Sequence, residues 1–148
     1  MPRYTNAYSG FSTNDIAATR RFYAETLGLE VSEANGMLTL HLPGGATALV
    51  YPKDDHRPAT YTCLNLAVGD IDAAVDELAG RGVTFERYDG MGQDDRGVMR
   101  DQGPPIAWFT DPAGNIVSVI EEAGAGSWQE SSASAARMDR CERVTRPC

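Results

Sequence analysis

Few side chains in this chain can do chemistry. Two histidines are present, His41 and His56, with three cysteines, Cys63, Cys141 and Cys148. The cysteines form no CxxC pair and no disulfide framework, so neither a structural zinc nor a dithiol redox centre is expected. An imidazole titrates near neutrality, which makes His41 a candidate general acid or base, and Glu86 is a carboxylate that can serve the same end. Cys63 offers a thiol, although a lone strand cysteine more often serves as a small buried hydrophobe. His56 sits among Asp54, Asp55 and Arg57 and reads as an exposed loop residue; that cluster is too local for a metal site. Trp108 and the tyrosines supply ring faces for stacking or for holding a cation.

The elements that must position these groups come from 148 residues, 42% of them hydrophobic, which fits one domain or two small repeated halves. No apolar run is long enough to cross a membrane, and Met1-Pro2-Arg3-Tyr4-Thr5-Asn6 lacks the apolar stretch of a secretory leader. A cytoplasmic protein with no membrane partner is the expectation. The net charge of −8 repels phosphate backbones, so no nucleic-acid partner is expected either. Residues 123–148 differ in kind, being rich in Ser, Ala, Gly and Arg, and are expected to be a mobile or loosely docked C-terminal tail.

Residues 4–122 contain a duplication. Asn14-Asp15-Ile16-Ala17-Ala18-Thr19 resembles Gly69-Asp70-Ile71-Asp72-Ala73-Ala74, and each segment opens an amphipathic helix after a strand-like run. Asn14 or Thr13 can cap the first helix, with Ile16, Phe22, Tyr23 and Leu27 as its apolar face and Gly28 at its end. Ile71, Val75 and Leu78 form the stripe of the second, ended by Gly80 and Gly82. A turn repeats too: Leu42-Pro43-Gly44-Gly45 matches Asp111-Pro112-Ala113-Gly114, each ahead of a strand. Two βαβββ modules follow, over residues 4–53 and 61–122, making one domain of residues 1–122. The second carries an extra loop at 89–105, long enough to be a lid or a mobile connection.

The N/G-D-I helix starts, the Phe22-Tyr23…Leu27-Gly28 run and Trp108-Phe109-Thr110-Asp111-Pro112-Ala113-Gly114-Asn115 together resemble the vicinal oxygen chelate superfamily. That superfamily includes glyoxalase I, bleomycin-resistance proteins and extradiol dioxygenases. The resemblance implies an α+β fold in which two tandem βαβββ modules form curved mixed sheets around a cup, commonly in a homodimer. Its enzymes hold a divalent metal in the cup through His, Glu or Gln at four positions, which fall here on Tyr8, Leu49, Cys63 and Ser118. Leu49 has no donor atom, Tyr8 and Ser118 are weak neutral donors, and a lone thiolate does not suit magnesium, manganese or iron. No metal and no cofactor is therefore expected.

Strand alternation assigns faces. Leu64, Leu66, Val68, Val83, Phe85, Val117 and Val119 should meet the helices. Tyr61, Cys63, Asn65, Ala67, Thr84, Glu86, Tyr88, Ile116, Ser118 and Ile120 should face the cup, with Thr39, His41, Thr47, Leu49, Tyr51, Trp108 and Thr110. The expected ligand wall is Tyr8, His41, Tyr51, Cys63, Asn65, Glu86, Trp108 and Ser118, suited to a small aromatic or cationic molecule. The first reading is a glyoxalase-like protein that binds such a molecule without metal. The alternative is a lyase, isomerase or oxidoreductase of the same superfamily using His41, Glu86 or Cys63 with no metal or an atypical one. A third is a non-catalytic interaction module whose tail, residues 123–148, contacts a partner.

Overall fold

The structure, a computed structural model, describes residues 1–122. The expectations for residues 123–148, partner contact included, lie outside the described residues. The first half runs β1 (Ser9–Thr13), α1 (Ile16–Arg21) continued by a π-helical turn (Phe22–Thr26), β2 (Glu30–Ala34), β3 (Met37–His41) and β4 (Thr47–Pro52). The second runs β5 (Thr62–Val68), α2 (Ile71–Gly80), β6 (Ile106–Thr110) and β7 (Ile116–Glu121). The first sheet has the order β1-β4-β3-β2 and the second β5-β7-β6. In each, the strand before the helix pairs in parallel with the last strand of its half, and the other pairs are antiparallel. The fold is thus α+β, with two open mixed sheets built on one plan.

Both helices start on an aspartate. Asp15 Oδ1 accepts from the Ala18 amide at 3.0 Å, and Asp70 Oδ1 from the Ala73 amide at 3.1 Å. A carboxylate there meets an unpaired amide and the positive end of the helix. Asp15 therefore caps α1, in place of Asn14 or Thr13; the Thr13 hydroxyl instead turns inward to the Thr19 hydroxyl at 2.8 Å.

The core joins the halves. Leu38, Leu40 and Val50 of the first sheet cluster with Leu64, Phe109, Val117 and Val119 of the second and with Ile71 and Val75 of α2. Each such side chain fully buried contributes about 1.5–3 kcal/mol. The aromatics of the π-helical turn lie between the sheets: Tyr23 packs on Phe11 of β1 at 6.0 Å, and Phe22 on Phe109 of β6 at 6.1 Å. Because this helix meets the inner faces of both sheets, the sheets share one core. Their opposite faces, which sequence alternation assigned to a single cup, line separate hollows among the described residues.

The second half departs from the expected βαβββ. Residues 83–88 form no strand; a single bridge, Phe85 to Phe109, stands where β2 runs in the first half. The cause lies in the connections. Asn35 and Gly36, both left-handed, close a tight hairpin between β2 and β3. The second half has the long loop instead, and that loop supplies hydrogen bonds in place of a partner strand. The Gln93 side chain donates to the Glu86 carbonyl at 2.9 Å and accepts from the Tyr88 amide at 2.6 Å. Much of the loop then docks on α2. Val98 is fully buried, Arg96 reaches Asp72 at 2.8 Å and also Asp76, and Arg100 reaches Asp72 at 2.6 Å.

Candidate functional site

The outward face of the second sheet is built by register. Trp108 on β6 lies opposite Ser118 on β7, which lies opposite Asn65 on β5. Ser118 is fully buried, and its hydroxyl donates to Asn65 Oδ1 at 2.5 Å. Trp108 is 9% exposed, and the ring of Tyr88 meets it edge-on at 5.6 Å. The Glu86 amide donates to the Trp108 carbonyl at 2.7 Å, which sets the Glu86 backbone beside that of Trp108. Burial, and then the nearby Glu86 carboxylate, hold the Tyr88 phenol above its usual range. A hollow of about 260 Å³ opens here, lined by Thr62, Tyr88, Met91, Trp108 and Ile116 among others. An aromatic floor with an acid beside it suits a flat ring or a cation.

The outward face of the first sheet is plainer. A hollow of about 190 Å³ is lined by Asn6, Tyr8, Thr39, Thr47, Ala48 and Leu49. Tyr8 is 61% exposed and precedes β1. His41 sits at the end of β3, where its Nε2 and the Ser32 hydroxyl of β2 are 2.9 Å apart. Its hydrogen-bond partner is thus a hydroxyl of its own sheet, and Glu30 of β2 lies directly opposite it in the register.

A third hollow, about 340 Å³, lies at the seam of the halves and is lined by Gly10, Ser12, Tyr51, Arg57, Tyr61 and Cys63 among others. The β5–β7 register shifts between Thr62 and Leu64, leaving Cys63 as the extra residue. Simple alternation put Cys63 on the Trp108 face, but the shift seats Thr62 in that hollow and Cys63 on the seam. Burial, with help from Asp111, pushes the Cys63 thiol up, so it stays protonated and weakly nucleophilic at neutral pH.

The expected wall is therefore divided. Asn65, Glu86, Trp108 and Ser118 come together on the second sheet, Tyr8 and His41 on the first, and Tyr51 and Cys63 at the seam. His41 and Cys63 do not meet.

The four metal positions can be tested on their donors. Leu49 offers none, Ser118 is sealed against Asn65, and the Cys63 thiol is protonated. Among the described residues, every buried side-chain nitrogen and oxygen already has a partner, and no three His, Cys, Asp or Glu side chains stand together as a ligand set. This donor set does not fit the superfamily's divalent centre.

Sequence reasoning missed the polar staple between the halves. Asp111 is buried and accepts from Tyr23 Oη at 2.8 Å, from the Ala113 and Asn115 amides at 2.9 Å each, and from Asn115 Nδ2 at 3.1 Å. Asn115 Nδ2 also donates to the Ser12 carbonyl at 2.8 Å. His56, expected to be an exposed loop residue, is half-buried and bridges the Ser12 hydroxyl at 2.6 Å and the Ala113 carbonyl at 2.9 Å. The carbonyl accepts only, so Nε2 carries a proton. The available signal was Asp111 at the head of a Pro-Ala-Gly turn with Asn115 four residues on, a pattern that reads equally well as an isolated turn.

The duplicated mixed sheets, the helix between them and the aspartate-capped helix starts define a class of protein. The family model of the glyoxalase/bleomycin resistance protein/dioxygenase superfamily matches residues 7–119, and the chain belongs to that family. No curated protein matches it. Among solved structures, a superfamily member from Sphaerobacter thermophilus is 27% identical, covering 79% of this chain and 98% of that one, with a TM-score of 0.58. The fosfomycin resistance protein FosX from Listeria monocytogenes is 14% identical over 82% of this chain and 95% of its own, with a TM-score of 0.60. The oxidase ChaP-H2 is 21% identical over 83% and 98%, with a TM-score of 0.56. The last two likenesses concern the fold alone.

Proposed function

We propose that residues 1–122 form a glyoxalase-like domain that binds a small aromatic or cationic molecule without a metal. The observation that carries this is the Trp108–Tyr88 hollow beside Glu86. It stands on the sheet face where a metal enzyme of the superfamily would present a carboxylate, and where this chain has the sealed Ser118–Asn65 pair. Because the two faces line separate hollows, a second copy completes the cup in a homodimer, its first-sheet face around Tyr8 and Leu49 covering the Trp108 hollow. The negative charge favours a cation over nucleic acid, and a free, protonated Cys63 thiol suits a reducing cytoplasm. Among the described residues no helix is long and apolar enough to cross a membrane.

Calorimetric titration with benzyltrimethylammonium tests the reading. Binding is expected to weaken about ten-fold or more in Trp108→Ala, the scale of one lost cation–π contact in a desolvated site. Equal affinity in that variant would end the proposal. Sedimentation should give a dimer mass. The superfamily's enzymes, FosX and the oxidase ChaP-H2 among the similar structures, keep a second reading open. In that reading the bound molecule is turned over by His41, Glu86 or Cys63, and His41→Asn abolishes turnover while leaving binding.

A further inference from the structure

The Trp108 hollow does not end at Trp108. It shares Tyr61 and Thr62 with the seam hollow, so the two hollows adjoin at the start of β5. Opposite charges flank the two hollows. Glu86 lies next to Trp108 in the backbone, outside the lining, with its carboxylate near the Tyr88 phenol, and Arg57 lines the seam hollow.

Four of the eight arginines among the described residues, Arg3, Arg21, Arg57 and Arg87, have no ion pair, and of these Arg57 alone lines one of the hollows described above. The protein carries 21 acidic residues against 13 basic ones, so partners for an arginine abound. Arg20, Arg81, Arg96 and Arg100 all have a carboxylate partner. Arg81 also lines a cavity, and there its guanidinium is occupied by Glu77 and by the carbonyls of Glu25 and Thr26. Arg57 has no ion pair among the described residues, although Asp54 and Asp55 are close in sequence; Asp55 is held by Lys53. Its neighbours in the hollow are neutral: hydroxyls of Ser9, Ser12 and Thr62, the phenols of Tyr51 and Tyr61, and the thiol of Cys63. A planar guanidinium left unpaired in a hollow with no acidic lining is a receptor for a carboxylate.

We infer that Arg57 binds an anionic group of the ligand, and that the ligand is a zwitterion with its aromatic or cationic head against Trp108 and a carboxylate at the seam. This inference rests on the Trp108 hollow being the ligand site, and it goes further by fixing a second charge, its sign and its place. The protonated Cys63 thiol sets no negative charge against that carboxylate.

The test uses the full chain and a matched set of probes. N-benzyl-N,N-dimethylglycine and homologues with successively longer tethers are titrated beside their primary amides, which keep the cation and the shape but lack the anion. At the best tether the carboxylate should bind about ten-fold tighter than its amide, the scale of one charge-assisted hydrogen-bond pair. Arg57→Gln should erase that advantage and leave the amide's affinity unchanged; Arg57→Lys should keep part of it. Arg57 is exposed, so these variants should melt as the wild type does. If no carboxylate outbinds its amide, or the advantage survives in Arg57→Gln, the assignment of Arg57 is wrong while the Trp108 reading stands. If neither the amides nor benzyltrimethylammonium bind, the Trp108 reading fails and this inference falls with it.

Discussion

The turns at 42–46 and 111–115 share a hydrogen-bond pattern and a left-handed glycine, and differ in their surroundings. In the first, the Leu42 amide donates to the Ala46 carbonyl and the Gly45 amide to the Leu42 carbonyl. In the second, the Asp111 amide donates to the Asn115 carbonyl and the Gly114 amide to the Asp111 carbonyl. One turn plan has thus been kept twice. Yet the first turn ends in glycines exposed to water, whereas the second buries Asp111, Ala113 and Asn115 and is hydrogen-bonded to Ser12 and Tyr23 of the opposite half and to His56 of the connection. A duplicated turn plan leads into the last strand of each sheet; unequal side chains on one turn decide how the sheets dock.

The sharpest way to break this comparison is to replace the aspartate. Asp111→Ala would strand the Tyr23 hydroxyl, the Asn115 amide group and two backbone amides, costing about 3–5 kcal/mol in denaturant unfolding. Leu42→Ala, at the matching position, removes only a half-buried side chain and should cost about 1–2 kcal/mol. Equal losses would mean that the staple does not hold the halves.

Glycines give the next effect. Gly45 and Gly114 are both left-handed, at φ 88° and 83°. An added Cβ at Gly45 meets open space, but at Gly114 it would lie 3.1 and 3.2 Å from Pro58. Gly45→Ala should cost about 1–2 kcal/mol for the backbone alone. Gly114→Ala should cost about 1 kcal/mol more, since Pro58 lies in the connection that carries His56 and must shift. Thermal melts of the pair give the difference directly.

Tyr23 carries a pH signature. Burial, then the Asp111 charge, raises its phenol well above the ordinary 10.0. A raised native value stabilises the fold fully below the unfolded value, and that contribution is lost as pH climbs through and above it. Stability should therefore fall from about pH 10, by up to about 1.4 kcal/mol per pH unit for this one group. Tyr23→Phe should be less stable at neutral pH and show a shallower alkaline slope; an unchanged slope would assign the alkaline loss elsewhere.

The smallest effect concerns the loop that only the second half has. Arg96 is partly exposed where it pairs with Asp72 and Asp76, so Arg96→Ala should cost less than about 1 kcal/mol, and less again in high salt. Val98→Ala, which empties a fully buried position, should cost more, marking apolar burial as the loop's anchor.

Much of this protein can be read along the chain. The helix starts at Asp15 and Asp70, the matching turns and the alternation of Leu64, Leu66, Val117 and Val119 are local patterns, and the duplication makes each a check on the other. Register arithmetic also put Trp108, Ser118 and Asn65 on one face, because the pleat has a period of two. That arithmetic failed at Cys63, where one extra residue in β5 breaks the period. The missing edge strand at 83–88 was hidden for a related reason, since Gln93 competes for its hydrogen bonds from within the loop.

What the tertiary structure alone decided is which surfaces face one another. Alternation tells which residues share a face but cannot tell whether two faces meet. That choice rests on Phe22 and Tyr23 packing between the sheets and on Asp111, Asn115 and His56 closing contacts across long sequence separations. Such contacts leave no period in the sequence, because they depend on where separate turns come to rest in space.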